Sequence, residues 1–254
     1  MDADDRPIGR LLSRREVLAM LAVAGVALRA ERASAQPLPA CVVRPQQTEG
    51  PFFVDERLNR SDIRSDPASD AVKAGAVLQI AFNVSQLAGG ACTPLGGAHV
   101  DVWHCDALGA YSDTRGFGAN TVGEKFLRGY QVTDQAGVAR FTTIYPGWYQ
   151  GRAVHIHFKI RTEPASAQGY EFTSQLYFDD ALTDRVHALA AYASRGQRRV
   201  RNDSDGLFRR GGRQLILPAA ERGEGYAGTF DIALDRSQRS GGRRASIFTS
   251  SHRG

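Results

Sequence analysis

Apolar and polar positions alternate through most of the chain beyond residue 76. In Val77–Val84 every second side chain is apolar (Leu78, Ile80, Phe82 and Val84), and in a β-strand these side chains share one face. Gly, Pro and Asp turns separate seven further strand-like segments: residues 97–105, 129–133, 138–145, 153–161, 171–178, 214–217 and 226–234. Many short strands with turns between them predict an all-β fold, an antiparallel β-sandwich.

Helical spacing is confined to residues 180–192. Leu182, Val186 and Leu189 lie there on one side of a helix. Residues 36–75 follow neither period, and we expect an irregular stretch before the first strand. The predicted sandwich therefore contains few short helices.

The charge of the chain lies at its ends. The 254 residues suit one large domain, and the formal net charge is +5. Residues 1–35 hold six Arg and five acidic residues, and residues 236–254 hold five Arg and no acidic residue. The segment between them, residues 36–235, carries 21 basic and 22 acidic residues. This balance argues against a basic nucleic-acid-binding face.

Residues 1–35 have the layout of a twin-arginine export signal. Arg14 and Arg15 precede the apolar run 17–28, and a small-residue cleavage site of the Ala-Ser-Ala type ends at Ala35. A membrane-spanning helix is the alternative, but the run is too short for a hydrocarbon core of roughly 30 Å. We expect an exported protein, periplasmic or extracellular, without a stable membrane anchor.

Cleavage after this signal would leave a domain over residues 36–235 and a basic tail over residues 236–254. The tail is rich in Ser, Gly and Arg, and we expect it to be flexible. Three cysteines remain: Cys41, Cys92 and Cys105. An oxidising compartment favours one disulfide and leaves one thiol unpaired, and the sequence leaves the pairing open. A lipid anchor on Cys41 is less favoured, because charged residues separate it from the apolar run.

Two histidines in the segment 153–161 are candidate metal ligands. His155 and His157 are two residues apart in an alternating run, so both would face one way while the apolar residues between and beyond them face the core. Two such imidazoles can converge on one metal ion, but alone they suit zinc as well as iron, or two half-exposed strand histidines. His104 and His187 are expected to be structural.

Two tyrosines lie near this pair. Tyr149 follows a Pro-Gly turn six residues before His155, and Tyr111 follows another turn. A free phenol has a pKa near about 10, so binding as phenolate needs a strongly acidic cation. Hard, anionic oxygen ligands favour a ferric ion over softer divalent metals. Each tyrosine taken separately is better explained as a packed aromatic, and only the four residues together indicate a metal site.

Three segments surround the four candidate ligands: residues 103–112 (WHCDALGAYS), 126–134 (FLRGYQVTD) and 141–157, which carries both histidines. Together they resemble the intradiol ring-cleavage dioxygenases, a family that includes protocatechuate 3,4-dioxygenase and catechol 1,2-dioxygenase. The sequence TEGPFF at residues 48–53 also resembles a segment of the family, with Phe52 and Phe53 where tyrosine is common. The resemblance extends to about residue 178.

The resemblance implies a transthyretin-like β-sandwich that holds one Fe(III) per chain. Its four protein ligands would be Tyr111, Tyr149, His155 and His157. The resemblance also implies that Arg152 is the family's active-site arginine. It implies that Gln175 is the family's glutamine that lies next to the metal ligands without binding the metal itself.

The activity implied is intradiol cleavage of a catechol-type ring, in which both atoms of O2 are inserted to give a cis,cis-muconate-type diacid. Tyr149 would take a substrate proton and leave the metal, and the charge of Arg152 would stabilise negative charge on the ring. The expected partners are a small catechol-type substrate and O2, and no nucleic acid. The identity of the catechol and the oligomeric state stay open.

Catechol 1,2-dioxygenases carry a long helical N-terminal segment. Only about 12 residues separate Gln36 from Thr48 here, so the resemblance is closer to stand-alone secreted members. Two other classes remain as alternatives. One is a metal-free sandwich that acts as a binding module, since a fold does not fix a function. The other is a zinc hydrolase that uses His155 and His157 with a carboxylate, although no Asp or Glu occupies the strand positions beside them.

Overall fold

The structure is a computed structural model that describes residues 41–116, 119–164 and 169–235. All of these residues belong to one unit, which begins at Pro39. The predicted export signal, residues 1–35, and the predicted tail, residues 236–254, lie outside the described residues.

The described chain is built mainly from short strands. They are β1 (Val77–Ala88), β2 (Ala91–Pro94), β3 (His99–Trp103), β4 (Arg115–Gly116), β5 (Ala119–Asn120), β6 (Arg128–Val132), β7 (Val138–Ile144), β8 (His155–Arg161), β9 (Glu171–Tyr177), β10 (Ala220–Arg222) and β11 (Gly225–Asp235). Helical segments lie between β9 and β10. They are α1 (Asp180–His187), α2 (Ala190–Ala193) and three 3-10 turns, Asn202–Ser204, Phe208–Arg210 and Gly212–Leu215.

Two sheets pack face to face around one apolar core. The first has the order β10-β11-β1-β2, with β7 also paired to β1, and the second has the order β6-β3-β8-β9. The apolar face of β1 is buried as its alternation predicts, and the ring of Phe82 lies 5.3 Å from the ring of Phe158 on β8. Each such buried side chain stabilises the fold by about 1.5–3 kcal/mol. The predicted all-β sandwich with few short helices is confirmed.

One strand pair differs from the predicted antiparallel arrangement. β1 and β11 run parallel, in a register from Leu78 opposite Tyr226 to Leu87 opposite Asp235. The whole second sheet separates these strands in the chain, so no hairpin constrains their relative direction.

Two of the predicted elements are wrong in detail. Residues 214–217 are not a strand: they begin inside the last 3-10 turn, and only Ile216 makes an isolated bridge, to Tyr177. The predicted helix over residues 180–192 ends at His187, because Leu189 has an extended backbone and an exposed side chain. Tyr192 makes the core contact instead, and its hydroxyl donates to the Tyr145 carbonyl at 2.7 Å.

A disulfide between Cys41 and Cys92 ties the start of the described chain to β2. The third cysteine, Cys105, is a buried free thiol. No helix among the described residues is both long and apolar enough to cross a membrane.

Candidate metal centre

The two histidines of β8 point away from the sandwich core, as the alternation predicts. Ile156 and Phe158 face the first sheet, whereas His155 and His157 share the opposite face, where His157 lies against Gly50 of the segment 47–55, which we call the N-terminal cover. Beneath this cover His155 is 2% exposed and His157 is 1% exposed. Two imidazoles therefore lie side by side in a site largely closed to bulk water.

Strand register determines which side chains flank the histidines. Trp103 of β3 and Gln175 of β9 lie opposite His157, and Tyr177 of β9 lies opposite His155. The Trp103 ring stacks on the His157 ring, with centroids 5.1 Å apart and planes at 7°. The neighbouring strands thus orient both imidazole rings.

Three atoms that could bind a metal ion converge at the centre of the site. The Nε2 atoms of His155 and His157 are 3.1 Å apart, and the Tyr149 hydroxyl oxygen is 3.1 Å from Nε2 of His155. On its other side, His155 Nδ1 lies 2.7 Å from the Ala153 carbonyl oxygen. Because a carbonyl oxygen only accepts hydrogen bonds, Nδ1 of His155 carries the proton. Its Nε2 therefore presents a lone pair towards His157 Nε2 and the Tyr149 hydroxyl oxygen.

Tyr111 is the fourth candidate ligand and lies near Tyr149 and His157. Its ring centroid lies 5.6 Å from that of Tyr149 and 6.2 Å from that of His157. The Tyr111 hydroxyl is buried close to the Tyr149 hydroxyl, but no atom of the described residues meets full hydrogen-bond geometry with it. A buried polar atom without a partner calls for an explanation, and an ion is one such explanation.

Burial sets the protonation states of all four groups. It lowers the pKa of His155 to about 3 and that of His157 well below its ordinary value, with the charge of Arg152 acting in the same direction. Burial also raises the pKa of Tyr149 to about 12, against the opposing charge of Arg152. The pKa of Tyr111 rises well above its ordinary value, first through burial and then through the neighbouring Tyr149. The imidazoles are therefore neutral, the form that binds metals, and the phenols need a cation to ionise.

The donor set fits one ferric ion. Metal–nitrogen bonds of about 2.0–2.1 Å place neighbouring ligand atoms about 3 Å apart, which matches the two separations above. Two phenol oxygens and two imidazole nitrogens suit a hard, strongly acidic cation. Among the described residues, no three His, Cys, Asp or Glu side chains form a cluster that could hold a metal ion, so the candidate ligand set depends on the tyrosines.

The N-terminal cover packs closely on this group. Gly50 has a φ of +73°, and a Cβ atom there would lie 3.1 Å from Cε1 of His157, so glycine serves both the backbone conformation and the close approach. The Phe52 ring stacks on the Tyr111 ring at 4.2 Å, and the Phe53 ring lies 4.8 Å from that of Trp103. These aromatic contacts exclude water from the donor atoms.

Arg152 and Gln175 lie behind the histidines. One terminal guanidinium nitrogen of Arg152 donates to Gln175 Oε1 at 2.6 Å and to the Tyr177 hydroxyl at 3.1 Å. Gln175 in turn donates to the Thr48 carbonyl at 3.0 Å, and the Tyr177 hydroxyl lies 2.8 Å from Gln47 Oε1. Arg152 is thus hydrogen-bonded directly to β9, and the same two β9 side chains connect it to the N-terminal cover.

All six side chains singled out in the sequence lie in this one region. They are Tyr111, Tyr149, Arg152, His155, His157 and Gln175. His104 and His187 are structural, as predicted: His104 Nε2 lies 2.7 Å from the Thr143 hydroxyl, and His187 Nε2 lies 3.0 Å from the Pro146 carbonyl.

Sequence reasoning missed the residues that hold Arg152 in place. Asp205 accepts a hydrogen bond from Arg152 Nε at 2.8 Å, although 53 residues separate the two. Gln47 comes from the stretch that the sequence marks only as irregular. For Asp205 the one local signal is its position before Gly206 in a polar turn, which does not indicate a partner.

Known proteins that are similar to this chain are dioxygenases. A family model described as Dioxygenase matches residues 48–235. An intradiol ring-cleavage dioxygenase from Tetranychus urticae is similar over 79% of this chain and 98% of its own, with 29% identity and a TM-score of 0.67. No curated protein sequence matched the chain.

Two bacterial structures are also similar. The dioxygenase domain of a dioxygenase carbohydrate-binding protein fusion from the cellulolytic bacterium Streptomyces sp. SirexAA-E shares 29% identity over 76% of this chain and 99% of its own, with a TM-score of 0.54. The 3-chlorocatechol 1,2-dioxygenase from Rhodococcus opacus 1CP shares 22% identity over 84% of this chain and 77% of its own, with a TM-score of 0.51, and at that identity it shows the fold alone.

Proposed function

This chain belongs to the intradiol ring-cleavage dioxygenase family, and on that premise we propose that it uses one Fe(III) to cleave a catechol-type ring between its two hydroxyls. The iron ligands are Tyr111, Tyr149, His155 and His157. The reaction inserts both atoms of O2 and gives a cis,cis-muconate-type diacid.

The convergence of donor atoms is the observation that carries this proposal. Tyr149 Oη and the two Nε2 atoms lie in a chain of 3.1 Å separations, with one His155 nitrogen already satisfied by a backbone carbonyl. In a metal-free binding module the two Nε2 atoms could share one hydrogen bond, but the buried Tyr111 hydroxyl would have no partner that meets hydrogen-bond geometry. A cation bound by all four side chains would give that hydroxyl oxygen a partner.

A bound ferric ion supplies the Lewis acidity that allows a catechol to bind as its dianion. Both catechol protons have to leave: one would pass to hydroxide and the other to Tyr149 Oη, which is the base that the chain contributes. Its pKa of about 12 without a cation means that this phenol, once protonated, keeps its proton at neutral pH. His155 does not compete for the proton, because burial holds its imidazole neutral.

Arg152 supplies a fixed positive charge beside the reacting ring. Burial alone would lower its pKa, but Tyr149, Tyr177 and Asp205 around it raise the pKa above its ordinary value, so the guanidinium stays charged. Preorganised charge in a site closed to water contributes several kcal/mol to stabilisation of developing negative charge. Arg152 therefore stabilises the electron-rich ring during oxygen attack.

We also propose that the protein is exported through the twin-arginine route. The supporting observation is the layout of residues 1–35, which places paired arginines before a short apolar run and a small-residue cleavage site. Replacement of both Arg14 and Arg15 by Lys should leave the enzyme inside the cytoplasm. Cell fractionation of the two forms tests this, and equal export of the variant would contradict it.

The reaction itself is tested by incubating the iron-loaded protein with catechol under 18O2. We expect a muconate-type diacid that carries both labelled atoms, found by mass spectrometry. Tyr149→Phe should abolish the product, whereas the control Tyr130→Phe changes a tyrosine of β6 outside the site and should not. Product that carries no label, or only one labelled atom, would contradict dioxygenase chemistry, and failure of the iron-loaded protein to form any product would contradict the proposed function.

A further inference from the structure

Asp205 is a buried carboxylate on which four hydrogen-bond donors converge. It is 2% exposed and directly follows the first 3-10 turn. Its Oδ2 accepts from Arg152 Nε and from the Ala153 backbone N–H, both at 2.8 Å. Its Oδ1 accepts from the backbone N–H groups of Leu207 and Phe208, at 2.6 and 3.1 Å. Burial would raise the pKa of Asp205, but these bonds and the charge of Arg152 lower it, so the carboxylate is ionised.

The contact with Arg152 determines how its guanidinium is directed. Nε is held by Asp205, while a terminal nitrogen reaches Gln175 Oε1 and the Tyr177 hydroxyl. A guanidinium is planar, so two fixed nitrogens fix the orientation of the whole group. Asp205 is the charged member of this set of acceptors.

Asp205 is also connected to His155, because the backbone of Ala153 lies between the two side chains and bonds to both. The Ala153 N–H donates to Asp205, and the Ala153 carbonyl accepts from His155 Nδ1 at 2.7 Å. Groups that hold the second nitrogen of a metal-ligating histidine set its ring orientation and tautomer. One carboxylate therefore holds both the Arg152 guanidinium and the segment that leads into β8.

We propose that Asp205 is a positioning residue for ring cleavage, acting mainly through Arg152, with the Ala153 contact as a minor contribution, and without touching substrate or cation. This inference rests on the proposed function. Without the Asp205 carboxylate, Arg152 loses its charged partner and the guanidinium turns away from the reacting ring.

The substitution Asp205→Asn keeps the shape of the side chain but cannot satisfy the four donors. An amide has one acceptor oxygen, and its NH2 group is itself a donor. Whichever way the amide faces, two N–H groups lose their acceptor. Asp203→Asn is the matched control, because it removes the same charge two residues away, where the carboxylate is 80% exposed and pairs with Arg213.

The test is a double-mutant cycle on the iron-loaded enzyme with Asp205→Asn, Arg152→Ala and the double variant. We expect Asp205→Asn to lower kcat about 10- to 100-fold with a smaller change in KM, and Asp203→Asn to stay within about twofold of the wild type. The double variant should lie within about threefold of Arg152→Ala, because a residue that acts through Arg152 then has little left to act on. The proposal would be overturned if the fold-decrease in kcat of the double variant equalled the product of the two single-variant decreases. Equal kcat for Asp205→Asn and Asp203→Asn would overturn it as well.

Urea denaturation of the same four proteins without iron gives a second readout, independent of activity. Coupled residues shift the denaturation midpoint non-additively, and additive shifts would also overturn the proposal. If the wild type fails to cleave catechols, the proposed function fails, while the urea cycle still decides whether Asp205 holds Arg152. Should Asp205→Asn not fold, Asp205→Glu replaces it in both cycles, since it keeps the charge but displaces it by one methylene.

Discussion

The turn before Tyr149 packs against a second turn at Gly109, and this contact leads to a prediction for Gly109→Ala. Gly109 has a φ of +86°, and a Cβ atom there would lie 2.3 Å from the Trp148 carbonyl oxygen. Real Cβ atoms essentially never approach a heavy atom closer than 3.0 Å, so the carbonyl has to move by about 0.7 Å. Because Trp148 directly precedes Tyr149, that movement displaces a proposed iron ligand.

The expected loss of folding stability in Gly109→Ala has two parts, and a control variant separates them. A left-handed backbone costs an L-residue other than glycine about 1–2 kcal/mol. The steric overlap adds about 1–3 kcal/mol, the range for groups forced into a packed interior. Gly123 has a φ of +89°, and a Cβ atom there would meet no other atom within 4 Å, so Gly123→Ala carries the first part alone. We therefore expect Gly109→Ala to be less stable than Gly123→Ala by about 1–3 kcal/mol.

Urea denaturation of both variants measures this difference, and turnover of catechol measures its consequence at the site. A misplacement approaching 1 Å at a catalytic group lowers turnover by about 100-fold, so Gly109→Ala should be slow even where it remains folded. Gly123→Ala should keep near wild-type turnover. Equal denaturation midpoints and equal turnover for the two variants would refute the reasoning from steric overlap.

Two further predictions concern stability. Cys92→Ser opens the loop closed by the disulfide, which spans a sequence separation of 51, and should lower the free energy of unfolding by about 4 kcal/mol. A reducing agent should shift the urea midpoint of the wild type but not of the variant, and an unaffected wild type would contradict the pairing. Hydrogen bonds from the backbone N–H groups of Lys125 and Ala68 lower the pKa of the buried Asp66 carboxyl in the folded protein. The ionised carboxylate therefore stabilises the fold above the unfolded-state pKa of about 3.9. This stabilisation is lost as the pH falls through the lower folded-state pKa. Asp66→Asn should therefore be less stable than the wild type at pH 7 and lose less stability between about pH 4 and pH 2, and parallel pH profiles of the two proteins would contradict this.

The parts of the fold and site that follow from local periodicity could be predicted from the sequence. Alternation along residues 153–161 places His155 and His157 on one face, and the structure has both there, with Ile156 and Phe158 in the core. Alternation misleads at residues 214–217, where Leu215 and Leu217 are both buried although the chain forms a 3-10 turn. Burial of every second residue does not by itself require strand geometry.

Contacts between distant parts of the chain could not be predicted. The link from Arg152 to Asp205 depends on how the segment after α2 folds back against β8, and the link from Gln47 to Tyr177 spans 130 residues. The pairing of Cys41 with Cys92 is open in the sequence for the same reason. In each case the local sequence specifies a group that can form the contact, and only the tertiary fold supplies its partner.

The visible spectrum of the purified protein over residues 36–254, the part left after the proposed signal cleavage, tests the central claim most directly. It is recorded with metal analysis, before and after addition of catechol under anaerobic conditions. Fe(III) bound by the Tyr111 and Tyr149 phenolates predicts a coloured protein with about one iron per chain and a band that shifts when catechol binds. A folded protein that stays colourless and free of iron after reconstitution, or that binds zinc instead, would contradict the claim.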